Sequence, residues 1–141
     1  MPSKGHAEWK GDLKTGSGTF EAGEGITGEF SFKSRFEDGP GANPEQLIAA
    51  AHTSCFSMAF SNALDEAGHT PTSIKTDAVV TLRLLDDGPS ITKIALKTVG
   101  IVPGIDDAKF QEIAAAAKAG CPVSKALAGV PEITLEASLE G

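Results

Sequence analysis

Two cysteines and two arginines occur in this chain of 141 residues, and one of each lies in the same short region. Arg35 precedes a long apolar segment, and Cys55 lies in the middle of that segment. A thiol reacts as its thiolate, and a positively charged neighbour favours that form. Scarce residues placed in this way indicate thiol chemistry, with Arg35 as the activating cation and Glu45 as the carboxylate that holds the guanidinium in place. The alternative for Cys55 is a free buried cysteine that packs as a small hydrophobe.

Cys121 stands directly before Pro122, where a short helical segment is expected to begin. Amide donors and the helix dipole at such a position favour a thiolate. By the dipole alone Cys121 is the better nucleophile, because Cys55 lies about twelve residues into its helix and the effect fades within the first turn. A thiol of low pKa is also a good leaving group, so the same position suits a resolving cysteine whose disulfide must be reopened. A capping cysteine without chemistry is the alternative.

His52 lies three residues before Cys55, near the same helix face, which is the offset of a Cys–His ion pair or of a two-point metal contact. No carboxylate is obviously placed to orient this histidine, and a lone histidine in a buried helix more often hydrogen-bonds a neighbouring carbonyl. Two cysteines are too few for a four-ligand zinc site. We therefore expect no metal and no bound cofactor.

The elements that must position these residues follow from periodicity and capping signals. Alternating residues predict an early meander of strands around residues 6–13, 17–22 and 28–36. A long helix is expected to begin at Asn43, with Pro44 in its first turn, and to end at Gly68. The remaining predicted elements are a hairpin of strands at 74–84 and 91–102, a helix at 106–120, a short helical piece at 121–128 and a closing strand at 133–139. The order βββ-α-ββ-αα-β predicts an α+β fold, with an antiparallel sheet wrapped around a long central helix, in a single domain over residues 1–141.

Residues 46–64 contain no Asp, Glu, Lys or Arg. Polar side chains such as His52 and Asn62, and a length at the lower limit for a bilayer, argue against a membrane span. The segment is therefore interpreted as a buried central helix. So small a domain has few elements with which to cover every face of that helix. A stripe of small residues from Ala50 to Ser61 would admit a second helix, so we expect a dimer with the central helices between two sheets.

The net charge is −7, and no Lys/Arg cluster offers the stripe that binding to a phosphate backbone requires. Nucleic acid is therefore not an expected partner. The N-terminal residues have no apolar core of the secretory type, and two cysteines are too few for a secreted disulfide scaffold. We expect a cytoplasmic protein, in which a disulfide is catalytic or transient.

Four segments taken together resemble the OsmC/Ohr family of thiol peroxidases. They are Arg35-Phe36-Glu37, Asn43-Pro44-Glu45-Gln46-Leu47, Ala50-Ala51-His52-Thr53-Ser54-Cys55-Phe56-Ser57-Met58 and Lys118-Ala119-Gly120-Cys121-Pro122-Val123-Ser124. The resemblance spans nearly the whole chain. The arginine precedes the long helix, and only lysines occupy the early strand region, which indicates the OsmC branch rather than the Ohr branch.

The resemblance implies reduction of organic hydroperoxides, and of hydrogen peroxide less well, in defence against oxidative or osmotic stress. Carried over by position, Cys55 is the peroxidatic cysteine, Cys121 is the resolving cysteine, and Arg35 with Glu45 is the pair that activates the thiolate. A sulfenic acid and an intrasubunit disulfide follow from these roles. The resemblance also implies an intertwined homodimer with active sites at the subunit interface, and an external dithiol reductant of lipoyl type, free or carried on a lipoylated protein. An apolar entrance could be lined by Phe36, Ile48, Phe56, Met58 and Phe60.

Two other classes of function stay open. A Cys55–His52 hydrolase or acyltransferase would need a residue to orient the histidine and an oxyanion hole, and it would leave Cys121 without a use. A non-catalytic stress or binding protein would tolerate serine at both cysteines.

The distance between Glu45 and Cys55 along one helix raises a further question. Ten residues correspond to about 15 Å of helical rise, with the two side chains on different faces. The simplest hypothesis is that Glu45, or Glu45 together with Arg35, reaches a Cys55 of the other subunit.

Overall fold

The computed structural model describes residues Met1–Gly141, which form two compact units, Met1–Leu47 and Ile48–Gly141. The elements in chain order are β1 (Gly5–Lys10), β2 (Ser17–Ala22), β3 (Ile26–Phe30), α1 (Phe32–Phe36), α2 (Pro44–Glu66), β4 (Ser73–Leu85), β5 (Gly88–Ile101), α3 (Asp107–Gly120), α4 (Pro122–Ala126) and β6 (Glu132–Glu140). The α+β class is confirmed, whereas one domain over residues 1–141 stays a prediction. The observed order contains one helix more than the predicted order.

The first unit is built on the predicted meander of three antiparallel strands, in the order β1-β2-β3. The third strand is shorter than predicted, because residues 32–36 form the helix α1. The alternation around Phe30 is typical of a strand, but Ser31 and Ser34 form a reciprocal capping box. The Ser31 hydroxyl accepts from the Ser34 amide at 3.1 Å, and the Ser34 hydroxyl accepts from the Ser31 amide at 2.8 Å. This pair of bonds starts a helix where alternation alone predicts a continued strand.

The second unit contains the predicted hairpin and a second three-stranded sheet, in the order β4-β5-β6. Leu85 pairs with Gly88, so the turn of the hairpin consists of two residues, Asp86 and Asp87. Strand β6 pairs with β5 in parallel. The prediction of one antiparallel sheet is therefore wrong in this respect. The connection from β5 to β6 passes through α3 and α4, and such a crossover is what brings two strands into parallel pairing.

Helix α2 has the predicted bounds. Asn43 Oδ1 accepts from the Gln46 amide at 2.9 Å, and Gly68 adopts a φ of 88° just beyond the last turn, a conformation that favours glycine. Within the second unit its buried apolar side chains are Phe56, Phe60 and Leu64, which belong to one core with residues of β5 and α3. Met58 lies on the other side of the helix and is 75% exposed, so the single chain does not bury α2 on every face. None of the four helices combines the length and the apolar character that spanning a bilayer requires.

Helices α3 and α4 meet at Cys121. Asp106 caps α3 by accepting from the Lys109 amide at 2.7 Å. The Cys121 amide donates to Ala117 O at 2.9 Å, and the Cys121 carbonyl accepts from the Lys125 amide at 3.0 Å. The backbone of Cys121 is thus fixed by the end of one helix and the start of the next, which fixes the direction of its side chain.

Candidate active site

The two cysteines lie in direct contact within the second unit. Cys55 is in the middle of α2, Cys121 is at the junction of α3 and α4, and their sulfur atoms are 2.9 Å apart. Both are free thiols. Cys121 is fully buried, whereas Cys55 is partly exposed. The separation between the sulfurs exceeds the length of a disulfide bond by only about 1 Å, so a small movement would allow the bond to form.

The surroundings of Cys121 favour its ionised form. Burial opposes ionisation, but the neighbouring Cys55 thiol and the polar groups of Ser124 and Val123 at the start of α4 outweigh it, and the pKa of Cys121 is lowered. The amides of Val123 and Ser124 belong to the first turn of α4, where backbone N–H groups have no partner within the helix. The structure thus agrees with the sequence-based argument that the start of this helix favours a thiolate.

Cys55 has the opposite tendency. Burial raises the pKa of the Cys55 thiol, and the hydrogen bond with Cys121 raises it further, while the Val123 amide acts in the other direction. Two interacting thiols titrate as a pair, so the pair loses its first proton at a lower pH than its second. In the neutral pair the Cys121 thiol donates to the Cys55 sulfur. When Cys121 is ionised, the Cys55 thiol becomes the donor. Of the two sulfurs, only that of Cys55 is accessible.

Arg35 and Glu45 form an ion pair within the first unit. Arg35 Nη2 donates to Glu45 Oε1 at 2.7 Å, and Arg35 Nε donates to the two carboxylate oxygens at 3.2 and 3.3 Å. The Glu45 side chain is 8% exposed and that of Arg35 is 36% exposed. Glu45 also lies in the first turn of α2, where the helix dipole favours a carboxylate. Nη1 of Arg35 has no partner, so one edge of the guanidinium is free for another group.

The local structure around α1 places Arg35 against the start of α2. The Ser34 hydroxyl donates to Ala42 O at 2.7 Å, and the Asn43 side-chain amide donates to Ser34 O at 3.0 Å. These bonds tie the end of α1 to the cap of α2 and so hold Arg35 beside Glu45. The pairing of Arg35 with Glu45 was predicted, but the short helix that carries Arg35 was not.

An apolar cavity of about 290 Å³ lies beside Arg35 in the first unit. Its other walls are Trp9, Leu13, Phe30, Ser31, Phe32 and Phe36. Of the side chains predicted to line an apolar entrance, Phe36 lines this cavity. Phe56 and Phe60 are fully buried core residues instead, because they point from α2 into the core of the second unit.

His52 is fully buried and hydrogen-bonded to a serine that sequence analysis did not single out. Its Nε2 lies 2.7 Å from Ser124 Oγ, and its Nδ1 has no hydrogen-bond partner. Burial lowers the pKa of His52, which favours the neutral ring. Neither nitrogen is bonded to Cys55, so the Cys–His pair that a hydrolase would require is absent. The sequence signals for Ser124 are its position three residues after Cys121 and its place at the end of the resembling segment of residues 118–124.

No three His, Cys, Asp or Glu side chains converge as the ligands of a metal ion would. The thiol pair and the Arg35–Glu45 pair are each defined within their own unit.

Comparison with known proteins gives a consistent result. A family model described as OsmC-like protein matches residues 37–136. The chain is 52% identical over 139 residues to Peroxiredoxin OsmC of Escherichia coli strain K12, covering 97% of this chain and 96% of that protein. It is 34% identical over 98 residues to an organic hydroperoxide resistance protein of Xanthomonas axonopodis pv. citri, covering 69% and 67% of the two chains.

Solved structures resemble the fold over almost its whole length. The crystal structure of an organic hydroperoxide resistance protein from Elizabethkingia anophelis has a TM-score of 0.77, with 23% sequence identity and 99% coverage of both chains. At that identity the likeness establishes the fold alone.

Proposed function

The chain belongs to the OsmC family, and from that premise we propose that it is a thiol-dependent peroxidase that reduces organic hydroperoxides, and hydrogen peroxide less well. The observation that carries the proposal is the contact of 2.9 Å between an accessible Cys55 sulfur and a buried Cys121 sulfur. Two cysteines with a purely structural role would not require that one thiol be accessible and that the other ionise easily. The role proposed for the enzyme is defence against oxidative or osmotic stress.

The first step consumes the peroxide. The Cys55 thiolate attacks the distal oxygen of the hydroperoxide, the O–O bond breaks, and the other oxygen takes a proton and leaves as an alcohol. Cys55 is thereby oxidised to a sulfenic acid. The two sulfurs are in hydrogen-bond contact, so transfer of the Cys55 proton to an ionised Cys121 would supply the thiolate at the accessible sulfur. A positive charge beside Cys55 would favour this transfer, and that is the role proposed for Arg35, held by Glu45.

The second step forms a disulfide. Cys121 attacks the sulfur of the Cys55 sulfenic acid, the S–O bond breaks, and the oxygen leaves as water. An external dithiol then returns two electrons and two protons and restores both thiols. A lipoyl-type dithiol, free or on a lipoylated protein, is the reductant that we propose, and no bound cofactor is required.

The apolar cavity beside Arg35 supports organic rather than inorganic peroxides as substrates. Its volume of about 290 Å³ would accommodate a small alkyl or aryl group, and aromatic side chains form most of its walls. Removal of each methylene group from water is worth about 0.8 kcal/mol. Hydrogen peroxide has no such group and would gain nothing from the cavity.

The test of this function is peroxide consumption with dithiothreitol as reductant. We expect kcat/KM for cumene hydroperoxide to exceed that for hydrogen peroxide by at least about tenfold, because only the organic substrate buries apolar surface. A variant with serine at both Cys55 and Cys121 is the control for non-enzymatic turnover. Equal rates for the protein and this variant would rule out a peroxidase. The same samples, tested with an activated ester, would reveal a hydrolase.

The exposed side of α2 supports a homodimer. Met58 is 75% exposed in the middle of α2, within the charge-free segment of residues 46–64, and a second copy of this helix would cover it. We expect light scattering to give twice the mass of one 14.5 kDa chain. Met58→Asp should shift the protein to monomers, because an unpaired charge would be buried. Ala116→Asp, at an exposed position of α3, is the matched control and should remain dimeric. A single-chain mass across dilution would contradict the proposal.

A further inference from the structure

A cavity of about 610 Å³, here called the α3–α4 cavity, lies in the second unit beside α3, α4 and the start of β6. All of its lining residues belong to that unit, and neither cysteine is among them. It shares no lining residue with the apolar cavity beside Arg35, which lies in the first unit. Pockets that hold small organic ligands have volumes of roughly 300–1,000 Å³. The reaction steps given above assign no task to this space.

The sequence of α3 explains why space is left at this point. Gln111, Ala115, Lys118 and Ala119 line the cavity, and their spacing places them on one face of the helix. The Gln111 side-chain amide donates to Ala137 O of β6 at 2.7 Å, which holds this face of α3 beside the strand. Because the two alanines carry only methyl groups, α3 does not fill the space that this contact encloses.

Most of the lining of the α3–α4 cavity is apolar. The apolar residues are Ala115, Ala119, Ala128, Val130, Ile133 and Leu135. Ile133 and Leu135 are two positions apart on β6, so they share one face of the strand. Val130, Ile133 and Leu135 are only partly buried against the core, and apolar surface is left for a ligand. An alkyl chain that is buried there gains about fourfold in affinity for each methylene group removed from water.

Two lysines give the same cavity a positive charge. Lys118 lies in the last turn of α3 and Lys125 in the last turn of α4, on either side of the corner between the two helices. Neither lysine forms a salt bridge, and no Asp or Glu lines the cavity. The chain has nineteen acidic residues and only twelve Lys and Arg residues, so a lining with lysines alone is unusual for this protein. The cavity therefore offers positive charge to a ligand without a competing carboxylate.

We propose that the α3–α4 cavity is a binding site for a single-chain fatty acid. The carboxylate pairs with Lys118 and Lys125, and the alkyl chain lies against Val130, Ile133 and Leu135. A lysine ammonium is a point charge, which suits a compact headgroup such as a carboxylate. The apolar part of the lining suits one alkyl chain. Binding requires neither thiol, so this site does not depend on the proposed peroxidase.

The test is isothermal titration calorimetry of the reduced full-length protein with decanoate. We expect one decanoate to bind per chain, with a Kd of about 1 mM or tighter. Nonanoate, which is one methylene group shorter, should bind about fourfold more weakly. Added salt should weaken the binding of both acids, because it screens the attraction between the carboxylate and the lysines.

Two pairs of variants test the headgroup and the alkyl chain separately. Lys118→Met combined with Lys125→Met removes both charges, and it should raise the Kd of decanoate at least about tenfold. Lys109→Met, also on α3 but outside the cavity, is its control and should leave the Kd unchanged. Ala115→Leu fills the cavity from an exposed position of α3 and should raise the Kd about tenfold, because it displaces part of the chain. Ala116→Leu, at the next exposed position, does not reach the cavity and is the matched control.

Three results would overturn the proposal. The first is decanoate that neither releases or absorbs heat nor raises the melting temperature of the protein, since a ligand of the folded state stabilises it. The second is an unchanged Kd in the double lysine variant, which would show that these charges do not hold the carboxylate. The third is an equal Kd in Ala115→Leu and Ala116→Leu, which would place the alkyl chain elsewhere, for example in the cavity beside Arg35. A protein that consumed no peroxide but bound decanoate as described would lose the proposed peroxidase function and keep this site.

Discussion

Replacement of Cys55 by serine is expected to abolish hydroperoxide reduction, with a loss of at least about a thousandfold in kcat/KM. The reason is that Cys55 is the only accessible thiol of the pair, and a serine hydroxyl is not ionised at neutral pH. Cys121→Ser should behave differently. Its Cys55 should still react with one equivalent of peroxide and should then stop at the sulfenic acid or become over-oxidised, because no thiol remains to form the disulfide.

Single-turnover measurements separate these two behaviours. The alcohol released per chain counts the first step, and mass spectrometry identifies the oxygen atoms added to Cys55. Cys121→Ala is a useful companion to Cys121→Ser, because it shows whether a hydroxyl at position 121 still donates to the Cys55 sulfur. If Cys121→Ser failed to react while Cys55→Ser released one equivalent of alcohol, the roles would be reversed. The lowered pKa of Cys121 and its place before α4 make that reversal the natural competing assignment.

The features of the fold that could be predicted are those determined by neighbouring residues. Asn43 and Gly68 set the ends of α2, and Asp106 sets the start of α3, because caps act over three or four residues. Local signals can also conflict. Alternation at residues 29–33 favours a strand, whereas the Ser31–Ser34 capping box favours α1, and the structure shows that the box decides the outcome.

Contacts between distant parts of the chain could not be predicted from the residues alone. Cys55 and Cys121 are 66 positions apart, and only the family resemblance brought them together before the structure was known. His52 and Ser124 are 72 positions apart, and no spacing rule connects them. The parallel pairing of β6 has the same origin, because strand direction depends on the path of α3 and α4 rather than on the sequence of β6. The catalytic roles of Cys55, Cys121, Arg35 and Glu45 stay predictions, since they await kinetic measurement.

Substitution of Arg35 is expected to cause the second large loss of peroxidase activity. Glu45 occupies Nε and Nη2 of Arg35 and leaves Nη1 free, so a guanidinium can hold the carboxylate and contact a thiolate at the same time. A lysine ammonium is a point charge without this fork. We therefore expect Arg35→Lys to lose about ten- to a hundredfold in the rate of the first step, and Arg35→Ala to lose at least as much.

Stability has to be separated from activity in these variants. Arg35→Ala leaves the buried Glu45 carboxylate without its partner, and such a change destabilises a protein. Arg35→Met combined with Glu45→Leu removes both charges and is the control, because replacement of a whole ion pair by apolar residues is often tolerated. This double variant should fold and should still lack activity. Full activity in it would eliminate the pair from the mechanism.

Mixed dimers then decide which subunit each pair serves. Glu45 and Cys55 are ten positions apart on α2, which corresponds to about 15 Å of rise, so we expect Arg35 and Glu45 to act on Cys55 of the partner chain. Arg35→Ala and Cys55→Ser proteins, each inactive alone, should regain activity when they are refolded together. Random assembly makes half of the dimers mixed, each with one intact site, so the recovered rate should reach at most about a quarter of that of the unmodified protein. Differently tagged chains verify that mixed dimers have formed. Mixed dimers without activity would place Arg35 in the same subunit as the Cys55 that it activates, since every site would then carry one defect.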